Sequence, residues 1–301
     1  MTRTKKRIAV VGYGNVGRHC LDAVLESPDF ELAGVVRREA APAPAELPGV
    51  AFATRVDELG EVDGALLACP TRSVPAVARE LLAKGIATCD SFDIHGEPLL
   101  ALRRELGDVA VSAGTRAVIS AGWDPGTDSM IRGILELMAP RGLTYTNFGP
   151  GMSMGHTVAA KAIPGVKSAL SMTLPAGQGV HRRAVYVELE EGADAAEVEA
   201  AILRDAYFAH DETRVRFVDD VAALVDTGHG VVLERKGASG RTHNQQFRWE
   251  MRIQNPALTA QVMVSALRAA FRQAPGCYTL LELPIADLLP GDRETWIRKL
   301  V

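Results

Sequence analysis

The sequence predicts an α/β fold: a doubly wound parallel sheet of the Rossmann type, followed by a second domain of the α+β type. Three observations indicate this fold. A glycine-rich turn follows the first apolar run, short apolar runs alternate with helical stretches up to residue 122, and longer alternating runs come after it. Strands separated by helices form parallel βαβ units, whereas strands with one polar face are typical of antiparallel or mixed sheets.

The first part of the chain contains the strand and helix pairs. A helix is expected to follow the glycine-rich turn as far as about Glu26. Another is expected from Val74 to Lys84, where Gly85 can adopt the left-handed conformation that ends a helix. Apolar runs with the length of buried strands lie at Arg7–Val11, Phe30–Val36, Val50–Phe52, Gly64–Ala68 and Ile86–Thr88. These elements predict a parallel sheet covered by helices.

The second part of the chain is richer in long strands. A helix is expected from about Gly126 to Met138, ended by Pro140, and a shorter helix from Ala195 to Arg204. Runs that alternate between apolar and polar residues predict strands at Leu143–Phe148, Ala169–Leu174, Ala184–Leu189, Val231–Lys236 and Asn244–Ile253.

The last part begins with an expected helix from Asn255 to Arg272, which has Pro256 in its first turn and a stripe of small apolar residues. We expect this tail to pack on the first domain. The predicted organisation is therefore a dinucleotide-binding domain at 1–122, with 253–301 packed against it, and a second domain at 123–252.

Composition and charge argue against several classes of protein. The 33 Lys and Arg residues against 37 Asp and Glu residues give a net charge of −4, whereas a general nucleic-acid binder carries a basic excess. No apolar run approaches the ~18 residues of a membrane span. The four cysteines are far apart, which favours buried, reduced thiols over a zinc site or a disulfide framework. We expect a cytoplasmic protein without a metal, and with neither nucleic acid nor membrane as partner.

The turn after the first strand has the spacing of a dinucleotide-binding loop, and it stands between a strand and a helix, where this spacing is informative. Gly12 allows a tight turn, Gly14 lets the backbone approach a pyrophosphate, and Gly17 lets the helix pack on the strand. The helix N-terminus offers N–H groups and a positive dipole end to phosphates. An ordinary βα turn is the alternative. The residues expected to contact the cofactor here are Gly12, Tyr13, Gly14, Asn15, Val16 and Gly17.

The end of the second strand distinguishes between the two nicotinamide dinucleotides. An NAD-binding domain usually has Asp or Glu about 20 residues after the loop, to bind the ribose hydroxyls. Here Arg37 stands at that distance from Gly17 and is followed by Arg38. Two guanidinium groups can bind a 2′-phosphate bidentately, so NADPH is the expected cofactor. The alternative is a solvated pair of surface arginines.

Two further loops, at 70–73 and 90–95, follow strand ends, where the ligands of open α/β sheets collect. Helix capping by Ser73 and turn formation by Asp93 are the alternatives to a role in binding. The cofactor contacts expected from these loops are Pro70, Thr71, Arg72, Ser73, Ser91, Phe92 and Asp93.

Longer motifs make the sequence more specific. Gly122–Asp128 has the sequence GWDPGTD, Thr146–His156 has TNFGPGMSMGH, Lys161–Gly165 has KAIPG, and the first loop reads VVGYGNVG. Together these motifs resemble the meso-diaminopimelate dehydrogenase family, and the resemblance runs through nearly the whole chain.

The resemblance implies an NADPH-dependent, homodimeric enzyme of the diaminopimelate route to lysine. Such an enzyme reversibly deaminates the D-configured centre of meso-2,6-diaminopimelate and gives L-2-amino-6-oxopimelate and ammonia. The second domain would then serve substrate binding and dimerisation. The further cofactor contacts expected are Gly122, Trp123, Asp124, Pro125 and Gly126.

The same resemblance implies a substrate site. The family residues that line it match Asp93, Asp124, Phe148, Met154, Gly155, Thr173, Arg183, His229 and Asn255, to which we add Trp123. Phe148 is a departure, because some members of the family carry Trp there, and the smaller ring leaves the pocket wider.

The chemistry of the substrate agrees with these residue types. Diaminopimelate carries two ammonium groups and two carboxylates, so its pocket needs acidic groups together with cationic or hydroxyl donors. Asp93 and Asp124 are expected at the reacting ammonium as catalytic residues. Asp124, which stands before Pro125, can also cap a helix, and the two roles are compatible.

The distal carboxylate is expected at Arg183, Thr173 and His229. His229 lies between two glycines, which lets backbone and ligand approach closely. Taken alone, Arg183 is also compatible with a surface arginine, and Trp123 with a core aromatic instead of a lid over the substrate.

Three other functions remain open at this point. An aspartate- or homoserine-type Rossmann dehydrogenase fits the first loop but not the later motifs. A D-amino-acid or amine dehydrogenase of broader specificity fits the motifs with a relaxed distal pocket. A non-enzymatic NADPH sensor would bind the cofactor without turnover.

Overall fold

The computed structural model describes residues 5–39, 43–225 and 228–301. The chain divides into two compact units. Unit 1 consists of Met1–Gly133 and Pro256–Val301, and unit 2 consists of Ile134–Asn255. This division does not test the roles given to the two predicted domains, which stay predictions.

Unit 1 is built on a sheet of seven strands in the described part of the chain, and neighbouring strands are parallel. The strands are β1 (Lys6–Val11), β2 (Phe30–Val36), β3 (Phe52–Ala53), β4 (Gly64–Leu67), β5 (Ala87–Asp90), β6 (Arg116–Val118) and β14 (Gly276–Tyr278). Their order across the sheet is β14–β6–β5–β4–β1–β2–β3. The strand order reverses beside β1, as in a doubly wound sheet, and the predicted Rossmann-type fold is confirmed.

Helices cover both faces of this sheet. α1 (Asn15–Leu25) and α7 (Asn255–Ala270) contribute to one hydrophobic cluster, and α2 (Val74–Ala83) and α3 (Glu97–Ser112) contribute to another. Successive residues of β1 belong alternately to the two clusters. Because both faces are covered, the strands are apolar on both sides, which explains their continuous apolar runs. α8 (Ile285–Leu288) and α9 (Arg293–Leu300) also belong to this unit, whereas α4 (Thr127–Met138) begins in unit 1 and ends in unit 2.

The last part of the chain completes the core of unit 1. Met263 and Leu267 of α7 are fully buried. At Gly64 of β4 a Cβ atom would lie 2.9 Å from the ring of Phe271 and 3.2 Å from Leu267, so this region packs directly on the sheet. Downstream, β14 pairs with β6 and extends the sheet by one strand.

Unit 2 contains two smaller sheets in its described residues, with the orders β11–β10–β9–β8 and β13–β12–β7. Their strands are β7 (Arg141–Phe148), β8 (Gly151–Met152), β9 (Val166–Gly177), β10 (Val180–Leu189), β11 (Glu212–Phe217), β12 (Gly228–Ser239) and β13 (Thr242–Gln254). Neighbouring strands are antiparallel, except that β10 and β11 are parallel. α5 (Met154–Lys161) and α6 (Ala195–Arg204) share a hydrophobic cluster with the four-stranded sheet.

Leu267→Ala should lower the free energy of unfolding by about 2–5 kcal/mol, the usual cost of truncating a buried leucine. The cavity would open between α7 and the sheet, where Leu267 is fully buried. Urea unfolding measures the loss. The matched control is Leu25→Ala, because Leu25 is 54% exposed and its truncation should change stability by less than about 0.5 kcal/mol. Equal losses in both variants would contradict the core position of α7.

Candidate active site

The glycine-rich loop of unit 1 has close backbone packing. Gly12 has a φ of +104°, and a Cβ atom there would lie 2.4 Å from the carbonyl oxygen of Ala68. A Cβ atom on Gly17 would lie 2.1 Å from the carbonyl oxygen of Gly12, whereas one on Gly14 would meet nothing within 4 Å. Only glycine therefore fits at the first and last positions, and Gly14 leaves room beside the loop.

The space beside Gly14 lies at the start of α1, which begins at Asn15. Gly14 is the N-cap of this helix, and no side chain caps it. The N–H groups of the first turn have no partner within the helix, so they can bind a phosphate. The loop therefore fits the pyrophosphate of a dinucleotide.

Two guanidinium groups stack on two aromatic rings near this loop. The guanidinium carbon of Arg37 lies 4.2 Å from the ring centroid of Phe52, and that of Arg18 lies 5.3 Å from the ring centroid of Tyr13. The two rings meet edge to face, with centroids 5.2 Å apart. Arg38 is exposed beside Arg37. This concentration of positive charge suits a ribose 2′-phosphate, and Arg18 was not among the predicted contacts.

The loops that follow β4 and β5 are joined by a hydrogen bond. The hydroxyl of Thr71 donates to Oδ1 of Asp93 at 2.7 Å. Arg72 and Ser73 are exposed, and Ser73 makes no side-chain capping bond to α2. The side chain of Phe92 is only 4% exposed and packs in the core, which leaves its backbone as the part available to a ligand.

Asp90 connects these loops to the loop that follows β6. Its side chain is fully buried, and Oδ1 accepts hydrogen bonds from the backbone N–H groups of Phe92 at 2.9 Å and Ser120 at 3.1 Å. The hydroxyl of Ser120 donates in turn to the carbonyl oxygen of Phe92 at 2.7 Å. Burial raises the pKa of Asp90 to about 6, although the two N–H donors act in the opposite direction. Asp90 was not among the predicted site residues.

The segment from Gly122 to Gly126 forms a tight turn before α4. The N–H of Gly122 donates to the carbonyl oxygen of Pro125 at 3.0 Å, and the N–H of Thr127 donates to that of Gly122 at 3.1 Å. Gly126 has a φ of +145°, and a Cβ atom there would lie 1.8 Å from the carbonyl oxygen of Gly122. Trp123 is 4% exposed, as expected for a core aromatic.

Asp124 forms an ion pair with Arg132. Nη2 of Arg132 donates to Oδ1 of Asp124. The side chain of Arg132 is 29% exposed, and that of Asp124 is 17% exposed. Asp128 follows in the first turn of α4 and is fully buried. Burial, and after it the charge of Asp124, raises the pKa of Asp128 to about 7. Neither Asp128 nor Arg132 was among the predicted site residues.

Unit 2 holds a cation beside a hydroxyl group. The register of β9 and β10 pairs Thr173 with Arg183. Nη1 of Arg183 donates to the hydroxyl of Thr173, and Nε donates to Oδ2 of Asp211 at 2.6 Å. The side chain of Arg183 is 13% exposed. A largely buried guanidinium with a hydroxyl beside it is a suitable site for a carboxylate, and Asp211 was missed by the sequence analysis.

The positive charge of Arg183 affects the pKa values of three histidines. Burial lowers the pKa of His156, His181 and His229, and the positive charge of Arg183 lowers each of them further. These imidazoles are therefore neutral at pH 7, and each has one donor and one acceptor nitrogen.

Two of these rings make hydrogen bonds with backbone groups. Nε2 of His181 accepts from the backbone N–H of Phe148 at 2.8 Å. Nδ1 of His229 lies 2.9 Å from the backbone nitrogen of Gly230 and 3.1 Å from its carbonyl oxygen, so this ring nitrogen is positioned either to accept or to donate, depending on the tautomer. The ring of Phe148 lies edge-on to His229, with centroids 6.4 Å apart. His181 is thus a further residue of this group that was not predicted.

The other predicted substrate residues of unit 2 lie at element ends. Gln254 pairs with Gly228, so Asn255 stands at the same end of the β12–β13 pair as His229. Gly155 is exposed in the first turn of α5. The side chain of Met154 lies outside the described part of the chain.

Within residues 5–39, 43–225 and 228–301, no three His, Cys, Asp or Glu side chains are grouped as a metal site requires. The helices of those same residues include none with the length and apolar character needed to cross a membrane.

Two protein-family models match parts of the chain. The oxidoreductase family with an NAD-binding Rossmann fold matches residues 6–89, and the diaminopimelic acid dehydrogenase C-terminal domain matches residues 122–182. Among curated proteins, a meso-diaminopimelate D-dehydrogenase of Bacteroides fragilis is 60% identical over 298 residues, which cover 99% of each chain.

The chain is also similar to solved structures of dehydrogenases. The chain is similar to the C. glutamicum DAP dehydrogenase in complex with DAP, with a TM-score of 0.86 and 28% identity over 99% of this chain and 100% of that one. An engineered D-amino acid dehydrogenase bound to NADP+ matches with a TM-score of 0.80 and 27% identity, again over 99% and 100% of the two chains.

The parallel sheet, the glycine-rich loop and the matched Rossmann model define an NAD(P)-binding oxidoreductase. The similarity over nearly the full length identifies the family within this class. The chain belongs to the meso-diaminopimelate D-dehydrogenase family. The family resemblance read from the motifs is thereby confirmed.

Asp90→Asn should change how stability depends on pH. As the pH rises, a buried carboxyl with a raised pKa keeps its proton in the folded chain after the unfolded chain has lost it. The free energy of unfolding of the wild type therefore decreases as the pH rises from the ordinary pKa of 3.8 to about 6. Asn keeps an oxygen acceptor but cannot ionise. The variant should therefore gain stability relative to the wild type, by on the order of 3 kcal/mol, from about pH 4 to about pH 7.

Urea unfolding over this pH range measures the difference between the two proteins. Asp108→Asn, which changes an exposed carboxylate of α3, is the control and should show no such trend. A stability difference between Asp90→Asn and the wild type that does not change with pH would contradict the raised pKa.

Proposed function

We propose that the chain catalyses the reversible, NADPH-dependent oxidative deamination of the D-centre of meso-2,6-diaminopimelate. The products are L-2-amino-6-oxopimelate and ammonia, and the reaction belongs to diaminopimelate and lysine biosynthesis. The observation that carries this proposal is the 60% identity, over 99% of both chains, with the Bacteroides fragilis enzyme of that name. We assign it to the cytoplasm, a reducing compartment that suits its four free cysteines.

The cofactor is NADP(H), and the loop after β1 with the arginines after β2 would hold it. The first turn of α1 would bind the pyrophosphate, while Arg37 and Arg38 would bind the 2′-phosphate. When bound, NADP+ supplies the hydride acceptor that converts the amine at the D-carbon to an imine, which water hydrolyses to the oxo acid and ammonia.

Asp93 and Asp124 are assigned to the reacting ammonium. Both carboxylates lie on loops at the carboxyl edge of the sheet in unit 1, and each is held by a donor, the Thr71 hydroxyl or the Arg132 guanidinium. Negative charge there attracts the ammonium group. Oxidation requires the neutral amine, and these two carboxylates, directly or through water, are the candidates to accept the proton.

The distal carboxylate is assigned to Arg183, Thr173 and His229 of unit 2. Arg183 would supply the charge, Thr173 a hydroxyl, and the imidazole of His229 a third hydrogen-bonding group. Recognition of both ends of the substrate would leave one α-carbon for oxidation, which would account for the choice of the D-centre.

The direct test follows NADPH formation at 340 nm with meso-, L,L- and D,D-diaminopimelate, D-alanine and L-aspartate. We expect turnover with the meso isomer above all others. Turnover of L-aspartate alone would indicate an aspartate-type dehydrogenase, and equal turnover of D-alanine would indicate a broad D-amino-acid dehydrogenase. NADPH binding without turnover of any substrate would indicate a sensor.

Replacing both Arg37 and Arg38 with Ala should raise the KM for NADPH and leave that for NADH nearly unchanged. Each charge-assisted contact to the 2′-phosphate contributes roughly 1.5–3 kcal/mol, so we expect an increase of at least about tenfold. Steady-state kinetics with both cofactors measures the effect. Arg104→Ala on α3, an exposed arginine, is the control, and equal damage to NADPH and NADH would refute the assignment.

Arg183→Leu should reduce turnover of meso-diaminopimelate more than turnover of short D-amino acids. The short substrates have no distal carboxylate, so they do not use the guanidinium, whereas the full substrate would bury an unpaired charge. The ratio of kcat/KM for meso-diaminopimelate to that for D-alanine should fall by at least about 100-fold.

The matched control for that substitution is Arg182→Leu on the same strand. The Arg182 side chain is 55% exposed and pairs with Glu212, so the ratio should not change. If Arg183→Leu lowers turnover of both classes of substrate to the same extent, Arg183 has a structural role.

We further infer a homodimer, as the family resemblance implies. β13 is an edge strand of its sheet and 13 residues long, and Trp249 on it is 46% exposed. Long edge strands with exposed apolar side chains are suited to pairing with another chain. Light scattering should give a dimer for the wild type and a smaller species for Trp249→Glu, with Leu300→Glu on α9 unchanged. A monomeric wild type would contradict the inference.

A further inference from the structure

Asp211 is an acidic residue of unit 2 to which the proposed function gives no role. It lies directly before β11, and its Oδ2 accepts a hydrogen bond from Nε of Arg183 at 2.6 Å. The side chain of Arg183 is 13% exposed, and that of Asp211 is 28% exposed. Water and salt compete less for a partly buried pair than for an exposed one, so this contact can fix a geometry that a surface ion pair would not.

The local structure holds Asp211 in place. Its backbone N–H donates to the carbonyl oxygen of Phe208 at 3.1 Å, and its own carbonyl oxygen accepts from the hydroxyl of Thr213 at 3.3 Å. Phe208 is 1% exposed and belongs to the hydrophobic cluster between the four-stranded sheet and its helices. β11 then pairs with β10, and this register places Thr213 beside Arg183. The carboxylate therefore stands on a segment that is anchored to the core and to the strand of Arg183.

Arg183 is held from both sides of its strand. On the β9 side, Nη1 donates to the hydroxyl of Thr173, and on the β11 side, Nε donates to Asp211. These bonds use two of the five N–H groups of a guanidinium. Within the part of the chain that the structure describes, Nη2 donates to no acceptor. One N–H of Nη1 and both of Nη2 are therefore left for a ligand.

The orientation of these free N–H groups matters as much as the charge. A carboxylate binds a guanidinium most strongly through two parallel N–H bonds, which requires the planar group to face it in one direction. Arginine has a long side chain with several rotatable bonds. A guanidinium held at Nη1 alone could turn about that one contact, and its free edge would not have a fixed direction.

We propose that Asp211 is a positioning residue for the distal carboxylate of the substrate: it holds the Arg183 guanidinium at Nε, so that the edge with Nη2 is presented to that carboxylate. The inference rests on the proposed function, which assigns Arg183 to the distal end. Asp211 acts through Arg183 and does not itself contact the substrate. Its charge also balances the largely buried cation before the substrate binds.

The first experiment is a double-mutant cycle of Asp211→Ala, Arg183→Leu and the double variant, with kcat/KM for meso-diaminopimelate as the measured quantity. Asp211→Ala should lower kcat/KM at least about tenfold. The loss should appear chiefly in KM, because the reacting end of the substrate is untouched.

In the Arg183→Leu background, Asp211→Ala should cause no further loss, since no guanidinium remains to be held. Losses that multiply in the double variant would overturn the proposal, because Asp211 would then act independently of Arg183.

Asp211→Asn tests the hydrogen bond apart from packing. The amide oxygen of Asn can still accept from Nε of Arg183, so this variant should keep more of the wild-type kcat/KM than Asp211→Ala does. It also replaces Asp211→Ala in the cycle if the alanine variant does not fold. An Asn variant that folds but is no more active than the alanine variant would contradict a role for this hydrogen bond.

Glu212→Ala is the matched control. Glu212 is the next acid in the chain and also pairs with an arginine of β10, but the side chain of that arginine, Arg182, is 55% exposed. Its removal should change kcat/KM by less than about twofold. A loss as large as that of Asp211→Ala would indicate a general effect of disturbing β11 and would overturn the proposal.

A second measurement needs no substrate. In protein labelled with ¹⁵N-arginine, the Nε–H of Arg183 should give a slowly exchanging resonance, assigned from its loss in Arg183→Leu. This proton should exchange at least about tenfold faster in Asp211→Ala and at the wild-type rate in Glu212→Ala. Equal exchange in Asp211→Ala and the wild type would show that Asp211 does not hold the guanidinium.

The two measurements separate this inference from the proposed function. Absence of turnover with every diaminopimelate isomer would reject the proposed function and this inference with it, even if the Nε–H of Arg183 is protected. Turnover of the meso isomer with independent losses in the cycle would reject this inference alone.

Discussion

The close approach of backbone to backbone around the first loop is the constraint on which unit 1 depends. A single added carbon at Gly12 or Gly17 would lie 2.4 or 2.1 Å from a carbonyl oxygen, so α1 can start beside β1 and β4 only because both positions lack a side chain. That start places the N–H groups of the helix at the carboxyl edge of the sheet, the edge where Arg37 also stands. Gly126, packed on the carbonyl oxygen of Gly122, positions the first turn of α4 in the same way.

In unit 2 the polar groups of the predicted site are arranged around one cation, the guanidinium of Arg183. Arg183 is largely withdrawn from water, a cost that Asp211 and the Thr173 hydroxyl offset through hydrogen bonds. Its charge and the burial of the neighbouring imidazoles keep His181 and His229 neutral, so these rings act as hydrogen-bonding groups and do not add positive charge. Each unit therefore has its own ion pair: Arg132 pairs with Asp124 in unit 1, and Arg183 pairs with Asp211 beside neutral imidazoles in unit 2.

The elements that were predicted well are those whose own residues carry the pattern. β2 and α6 have the bounds expected from the sequence, because a continuous apolar run and a capped amphipathic segment are local features. β6 and β14 were not identified. Each has three residues, too few for a period, and they are strands because Arg116–Val118 and Gly276–Tyr278 pair with each other across a long stretch of sequence. Tertiary pairing, not local preference, decides such strands.

The sequence by itself determined the Rossmann fold, the glycine-rich loop before α1, the positions of two arginines after β2 and the family to which the chain belongs. These properties depend on residue types at short fixed spacings, which the backbone geometry of one turn or one strand imposes. Only the tertiary structure revealed Asp90 as the link between two loops, the ion pair of Asp124 with Arg132, the burial of Asp128, and Asp211 and His181 beside Arg183. Their roles depend on burial and on charges brought together by folding, and a carboxylate or an imidazole acquires a shifted pKa only in that environment.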